Sequence, residues 1–198
     1  MPNDPDKDLH RRAFFRSATA RVLGPLADGL AGRLPPAAPT VRLRPPGAIA
    51  EDRFLDTCRR CGECVAVCPA DAIVPLVHSN DRLANTPVID PDVSACVVCE
   101  GLQCTHVCPS GALLPVFDAL DIRMGVAEVY DAVCVRSQGE ACTICVDRCP
   151  LGAAAIRFPD EGPPDVIIPG CVGCGVCQLY CPTQPTAISV RPAEAIAT

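Results

Sequence analysis

A chain of 198 residues has room for one ordinary domain or two small ones. With no Trp, five Phe and two Tyr against 22 Pro, it lacks the large apolar side chains that would hold a conventional core together unaided. Charge is uneven: residues 1–50 carry eight Lys or Arg against four Asp, a net of +4, and the rest nets −10, which repels nucleic acid and suits partners with basic faces.

Residues 1–50 contain no cysteine and read as a separate arm. The string Arg11-Arg12-Ala13-Phe14-Phe15-Arg16 is similar to the signal read by the bacterial twin-arginine export system. Behind it, Arg21, Asp28 and Arg33 interrupt Ser17–Leu34, so no apolar run there is long enough to span a membrane. Phe15, Val22, Leu26 and Leu30 fall on one face of a helix, with a break at Gly24-Pro25, so a retained amphipathic arm is the expectation and cleavage on export the alternative. A cytoplasmic protein follows from the first, a periplasmic one from the second. Pro35-Pro36, Pro39 and Pro45-Pro46 read as an extended linker.

The body is expected to run from Glu51 to the C-terminus, and every cysteine falls in it. Four sets follow one another: Cys58, Cys61, Cys64 and Cys68; Cys96, Cys99, Cys104 and Cys108; Cys134, Cys142, Cys145 and Cys149; Cys171, Cys174, Cys177 and Cys181. In each, the last cysteine precedes proline: Pro69, Pro109, Pro150 and Pro182. This is the run by which bacterial ferredoxins hold 4Fe-4S clusters. Two-residue gaps let a tight turn wrap three thiolates around a cubane, and the cysteine before proline leaves towards another cluster. All sixteen cysteines are therefore candidate ligands, for four 4Fe-4S clusters in two pairs. A zinc site would need two knuckles separated by a longer span, and cysteines this close in sequence are poorly placed for disulfides.

Gly62, Gly173 and Gly175 lie inside the turns, where unusual backbone angles are expected. Behind each set comes an Ala-aliphatic pair, Ala72-Ile73, Ala112-Leu113, Ala155-Ile156 and Ala187-Ile188, which reads as a dry backing for a cluster. Between the sets the pattern predicts an irregular loop over Val74–Asp90 ending in a strand at Val88-Ile89. It predicts weak helix over Val116–Ile122, and strands over Gly125–Val133 and Asp165–Ile168. The first and fourth sets share the same spacing, so first with fourth and second with third is the preferred pairing; sequential pairing is the alternative. The fold class expected is α+β, two dicluster ferredoxin-like modules in tandem behind a helical arm and a Pro-rich linker.

Four strings carry a family resemblance: Arg44-Pro45-Pro46-Gly47-Ala48, CVVCEGLQCTHVCPSGAL at residues 96–113, Arg123-Met124-Gly125, and the third set with its seven-residue gap. Over roughly residues 42–192 the chain resembles the NapG/MauM ferredoxin-type proteins associated with periplasmic nitrate reductase and methylamine utilisation, and their relative NapF. The resemblance implies a four-cluster relay from a quinol-oxidising membrane partner towards a terminal oxidoreductase. An accessory or maturation protein for a client oxidoreductase is the alternative. With all sixteen thiolates spent as ligands, no iron is left open to substrate, so an electron carrier or complex subunit is expected rather than an enzyme in its own right. His106, between two cysteines of the second set, is expected to face solvent, as are His10 and His78; Arg59, Arg60 and Arg148 adjoin cysteines and read as solvated charges or as groups that tune a potential.

Overall fold

Cysteine-rich turns leave little chain for regular structure, and the pieces between them are correspondingly short. The computed structural model describes residues 42–193. The twin-arginine string, the Phe15–Leu30 stripe and His10 lie outside the described residues.

The expected linker ends earlier than the sequence suggested. Residues 42–193 belong to one compact unit, in which Leu43 and Arg44 are buried and Pro45 and Pro46 fully so. The segment threads between two later pieces of chain: the Ile89 amide donates to the Leu43 carbonyl at 2.9 Å, Ile49 to Ala112 at 3.1 Å, and Leu114 to Gly47 at 2.8 Å. Gly47 has φ +77°, and a Cβ there would stand 2.2 Å from the Leu114 carbonyl oxygen, so only glycine lets the strands close. Arg44, 6% exposed, donates to both carboxylate oxygens of Glu51 at 2.6 and 2.8 Å, to the Thr86 hydroxyl at 3.0 Å and to the Pro87 carbonyl at 2.8 Å, and lies 4.7 Å from the centre of the Phe54 ring. A buried guanidinium so fully satisfied ties this segment to the body.

Helix α1 (Glu51–Thr57) buries Phe54 and Leu55 against Ala112 and Leu113, and its end delivers Cys58, whose amide donates to the Phe54 carbonyl at 2.8 Å. Four one-turn helices follow: α2 (Glu63–Ala66), α3 (Gln103–His106), α4 (Ile144–Asp147) and α5 (Val176–Leu179). Each carries the third cysteine of its set; α2 packs on α3, and α4 on α5.

After each cysteine-proline the chain enters a strand or bridge at the aliphatic residue of the Ala-aliphatic pair. Strand β1 (Ile73–Pro75) pairs antiparallel with β2 (Pro87–Ile89), Ile73 opposite Ile89. Leu113 forms an antiparallel bridge with Ala48. Strand β4 (Ile156–Arg157) pairs with β5 (Asp165–Val166), and β6 (Ile188–Pro192) with β3 (Gly125–Val129), Val129 opposite Ile188.

The strand expected at Val88-Ile89 is present. The strand expected over Gly125–Val133 stops at Val129, because a turn in which the Cys134 amide donates to the Tyr130 carbonyl at 3.1 Å brings the chain to the third set. That expected at Asp165–Ile168 keeps only its first two residues. The weak helix within Val116–Ile122 is a 3-10 turn at Ala119–Asp121, capped by the Asp118 carboxylate, which accepts from the Leu120 amide at 2.8 Å. Among the described residues no helix is long and apolar enough to cross a membrane.

Candidate metal centres

All sixteen cysteines are unbridged, and they line four clefts, four to each. Cys58, Cys61 and Cys64 share the first with Cys108. Cys96, Cys99 and Cys104 share the second with Cys68. The third holds Cys171, Cys174 and Cys177 with Cys149, and the fourth Cys134, Cys142 and Cys145 with Cys181. Each set thus gives three sulfurs to one cleft, and the cysteine before proline to a neighbour's, as the three-plus-one reading requires.

The preferred pairing of first with fourth and second with third is wrong: the sets pair in sequence. Spacing records only how a loop wraps locally, whereas pairing follows the chain path. The β1–β2 hairpin returns the chain to the first set and the β4–β5 hairpin returns it to the third, closing short loops at lower entropic cost. The two halves meet where the Cys96 amide donates to the Cys174 carbonyl at 3.0 Å.

Among the described residues, no three His, Cys, Asp or Glu side chains converge closely enough to hold a single metal ion. Four thiols around a space rather than a point suit a multi-iron core better than tetrahedral zinc. The backing fits as well: all eight residues of the Ala-aliphatic pairs are buried, at 1–3% exposure. Amides from three of the four pairs also point at sulfur. Ala72 donates to Cys68 Sγ at 3.3 Å, and Leu113 and Ala187 donate to Cys108 and Cys181 at 3.4 Å; Ala127 of β3 serves Cys171 at 3.4 Å. Such bonds favour thiolate and help set a cluster's potential.

The thiols differ sharply in surroundings. The first cleft is the largest of the four, and Cys61, which lines it, is exposed. Cys104, Cys174 and Cys177, towards the middle, are buried. Burial, reinforced by Cys96 and Cys99, pushes Cys104 up to about 12. Burial likewise pushes Cys174 up to about 12, with Cys149 and Cys96 adding to it against a backbone amide that lowers it. Burial also raises Cys108 and Cys181, but amide and hydroxyl donors outweigh it and hold both below the ordinary thiol value.

A pH dependence follows. Iron requires thiolate, so thiol protons compete with metal, and the competition strengthens as pH falls below the ordinary thiol range, by about 1.4 kcal/mol per thiol per pH unit; burial, which raises Cys104 and Cys174, adds to it as the sites close. With limiting iron and sulfide, reconstitution at pH 6 is expected to leave fewer irons per chain than at pH 8.5, with protons released on loading. Equal iron at both values contradicts this.

The three turn glycines all have positive φ. Gly173 is the most constrained: at φ +73° its Cβ would stand 2.5 Å from the Gly125 backbone, where the fourth set crosses the start of β3. Gly173→Ala is expected to cost about 2 to 4 kcal/mol, read as a lowered anaerobic melting temperature. An unchanged melting temperature would refute this contact. Leu102 adopts the same left-handed conformation ahead of α3, at φ 40°, a position that nothing in the residue pattern singles out.

His106 is exposed, its Nε2 3.2 Å from the Val116 carbonyl oxygen and its ring edge on Phe117, and His78 is exposed too. Arg60 spends its guanidinium on the Ala84, Cys58 and Arg82 carbonyls, fixing the β1–β2 loop beside the first cleft. Arg59 is exposed, and Arg148 lies 4.6 Å from the centre of the Tyr180 ring.

Residues 57–112, spanning the first two sets, match the family described as the 4Fe-4S dicluster domain. That match takes in the first sequential pair as a unit. The chain is 36% identical to the ferredoxin-type protein NapG of Escherichia coli K12, across 92% of this chain and 85% of that protein. It is also 36% identical to the methylamine utilization ferredoxin-type protein MauM of Methylobacillus flagellatus, across 93% and 84%. NapG of Haemophilus influenzae is 33% identical, across 96% and 74%.

Proposed function

Because the chain belongs to the NapG/MauM family of ferredoxin-type iron-sulfur electron-transfer proteins, we propose that it holds four 4Fe-4S clusters in two tandem dicluster modules and relays electrons from a quinol-oxidising membrane partner to a terminal oxidoreductase. When bound, each cluster takes up and returns a single electron. Sixteen cysteines in four clefts support this reading, and the order of the clefts carries it.

Neighbouring clefts are linked in series. Cys104 of the second is close enough to feel Cys64 of the first, and Cys177 of the third feels Cys145 of the fourth; the Cys96 to Cys174 bond joins second to third. The buried middle keeps water from the inner sites, while exposed Cys61 leaves the first open to a partner. Bound clusters would add about −2 each, taking the region after residue 50 from −10 to about −18, so docking to a basic partner should weaken with salt.

Anaerobic reductive titration tests the relay. Uptake of about four electrons per chain, returned in full on reoxidation with iron retained, supports it. Clusters that detach and move to an apo-client would instead make the chain an accessory protein. A cytoplasmic location remains the proposal for the compartment. Fractionation checks it: periplasmic protein that depends on Arg11 and Arg12 would replace it with export.

A further inference from the structure

The third cysteine set differs from the others in its seven-residue gap between Cys134 and Cys142, and that insertion carries an arginine outside every ion pair of the described residues. Val135–Gln138 coil into a 3-10 turn directly after Cys134, fixed by the Gly139 amide on the Arg136 carbonyl and the Glu140 amide on that of Val135, both at 3.0 Å. The Arg136 guanidinium lies 4.4 Å from the centre of the Phe158 ring, and Nη2 donates to the Pro159 carbonyl at 3.3 Å. Its Nε is buried without a hydrogen-bond partner.

Arginine keeps its charge at any working pH, and the half-buried Arg136 guanidinium, stacked on Phe158 and bonded to one carbonyl, has no neutralising partner of its own. No carboxylate of the described residues lies within ion-pair distance of it. The adjacent wall supplies negative charge, once loaded: Cys134 and Val135, the two residues before Arg136, both line the fourth cleft, and a cubane with four thiolates carries net negative charge. At the first cleft Arg59 and Arg60 themselves line the wall, the Arg60 guanidinium bonded to backbone carbonyls.

We propose that Arg136 is the fixed counter-charge of the cluster held by Cys134, Cys142, Cys145 and Cys181, and that it raises that cluster's reduction potential by favouring the more negative, reduced state. The inference rests on the four-cluster reading above. It makes Arg136 a tuning residue rather than a ligand, and gives the long insertion a purpose: it carries a positive charge to the fourth site.

Potentiometric titration of the anaerobically reconstituted full chain, followed by electron paramagnetic resonance, tests this with Arg136→Gln and Arg136→Lys. The expected result is one of four components shifted to lower potential in Arg136→Gln, three unchanged, and all four near their original values in Arg136→Lys, which keeps the charge but not the planar stack on Phe158. Should Arg136→Gln shed the cluster, the proposal requires Arg136→Lys to retain it; if both shed it, the arginine serves packing and the proposal falls. It falls equally if Arg136→Gln keeps its iron and all four potentials. Wild-type chain that takes up no iron would defeat the underlying reading instead.

Discussion

Anaerobic removal of iron is expected to unfold residues 42–193, with loss of far-ultraviolet ellipticity and of a cooperative melting transition. The non-metal part of the fold is too slight to stand alone. Its sheets are two-stranded, a size marginal in water without a large apolar face to cover, and four of its helices are single turns, far below the length at which an isolated helix persists. Its core is split into three small clusters, and cysteines line or belong to each. Structural metal in small domains contributes on the order of 10 kcal/mol, about the whole stability of an ordinary domain, so losing the proposed clusters should exceed what packing retains. Iron-free chain with native-like spectra and a sharp transition would contradict this.

Cys174→Ala should remove about four irons per chain and interrupt the series at its centre. Cys174 is buried, lines the third cleft, and accepts at its carbonyl the bond from the Cys96 amide that joins the two halves. The substitution keeps that backbone bond while deleting the sulfur, so the expected loss is one cluster and one electron of uptake, with electrons entering the first half no longer reaching the fourth site. Full iron content with undiminished transfer would show that this cysteine is not part of the path. Cys108→Ala tests the pairing in the same way. Sequential pairing requires it to release the cluster of Cys58, Cys61 and Cys64, whereas pairing of the second set with the third would leave that cluster intact.

Local features were legible because their causes are local. A cysteine followed by proline, then an Ala-aliphatic pair a few residues on, must turn and enter a strand, so the burial of Ala72-Ile73 and its three counterparts could be read directly. The positive φ at Gly62, Gly173 and Gly175 follows from the same tight turns. Pairing was not legible, since identical spacing in the first and fourth sets reports a shared loop shape and says nothing of which loops meet. Nor was the role of Arg44, whose Thr86 partner is 42 residues away, or that of Arg136, whose Pro159 partner is 23 away. A charged residue's worth depends on what the fold carries to it. The buried prolines show the converse: Pro45 and Pro46 read as linker by composition, and become core because β2 and the stretch after the second set close over them.

Iron and acid-labile sulfide per chain, measured on anaerobically purified protein alongside the electron paramagnetic resonance of its reduced form, bear most directly on the four-cluster assignment. About sixteen of each per chain, with signals of interacting 4Fe-4S centres, is the expected result. A colourless chain that stays folded with zinc or with no metal at its cysteines would contradict it.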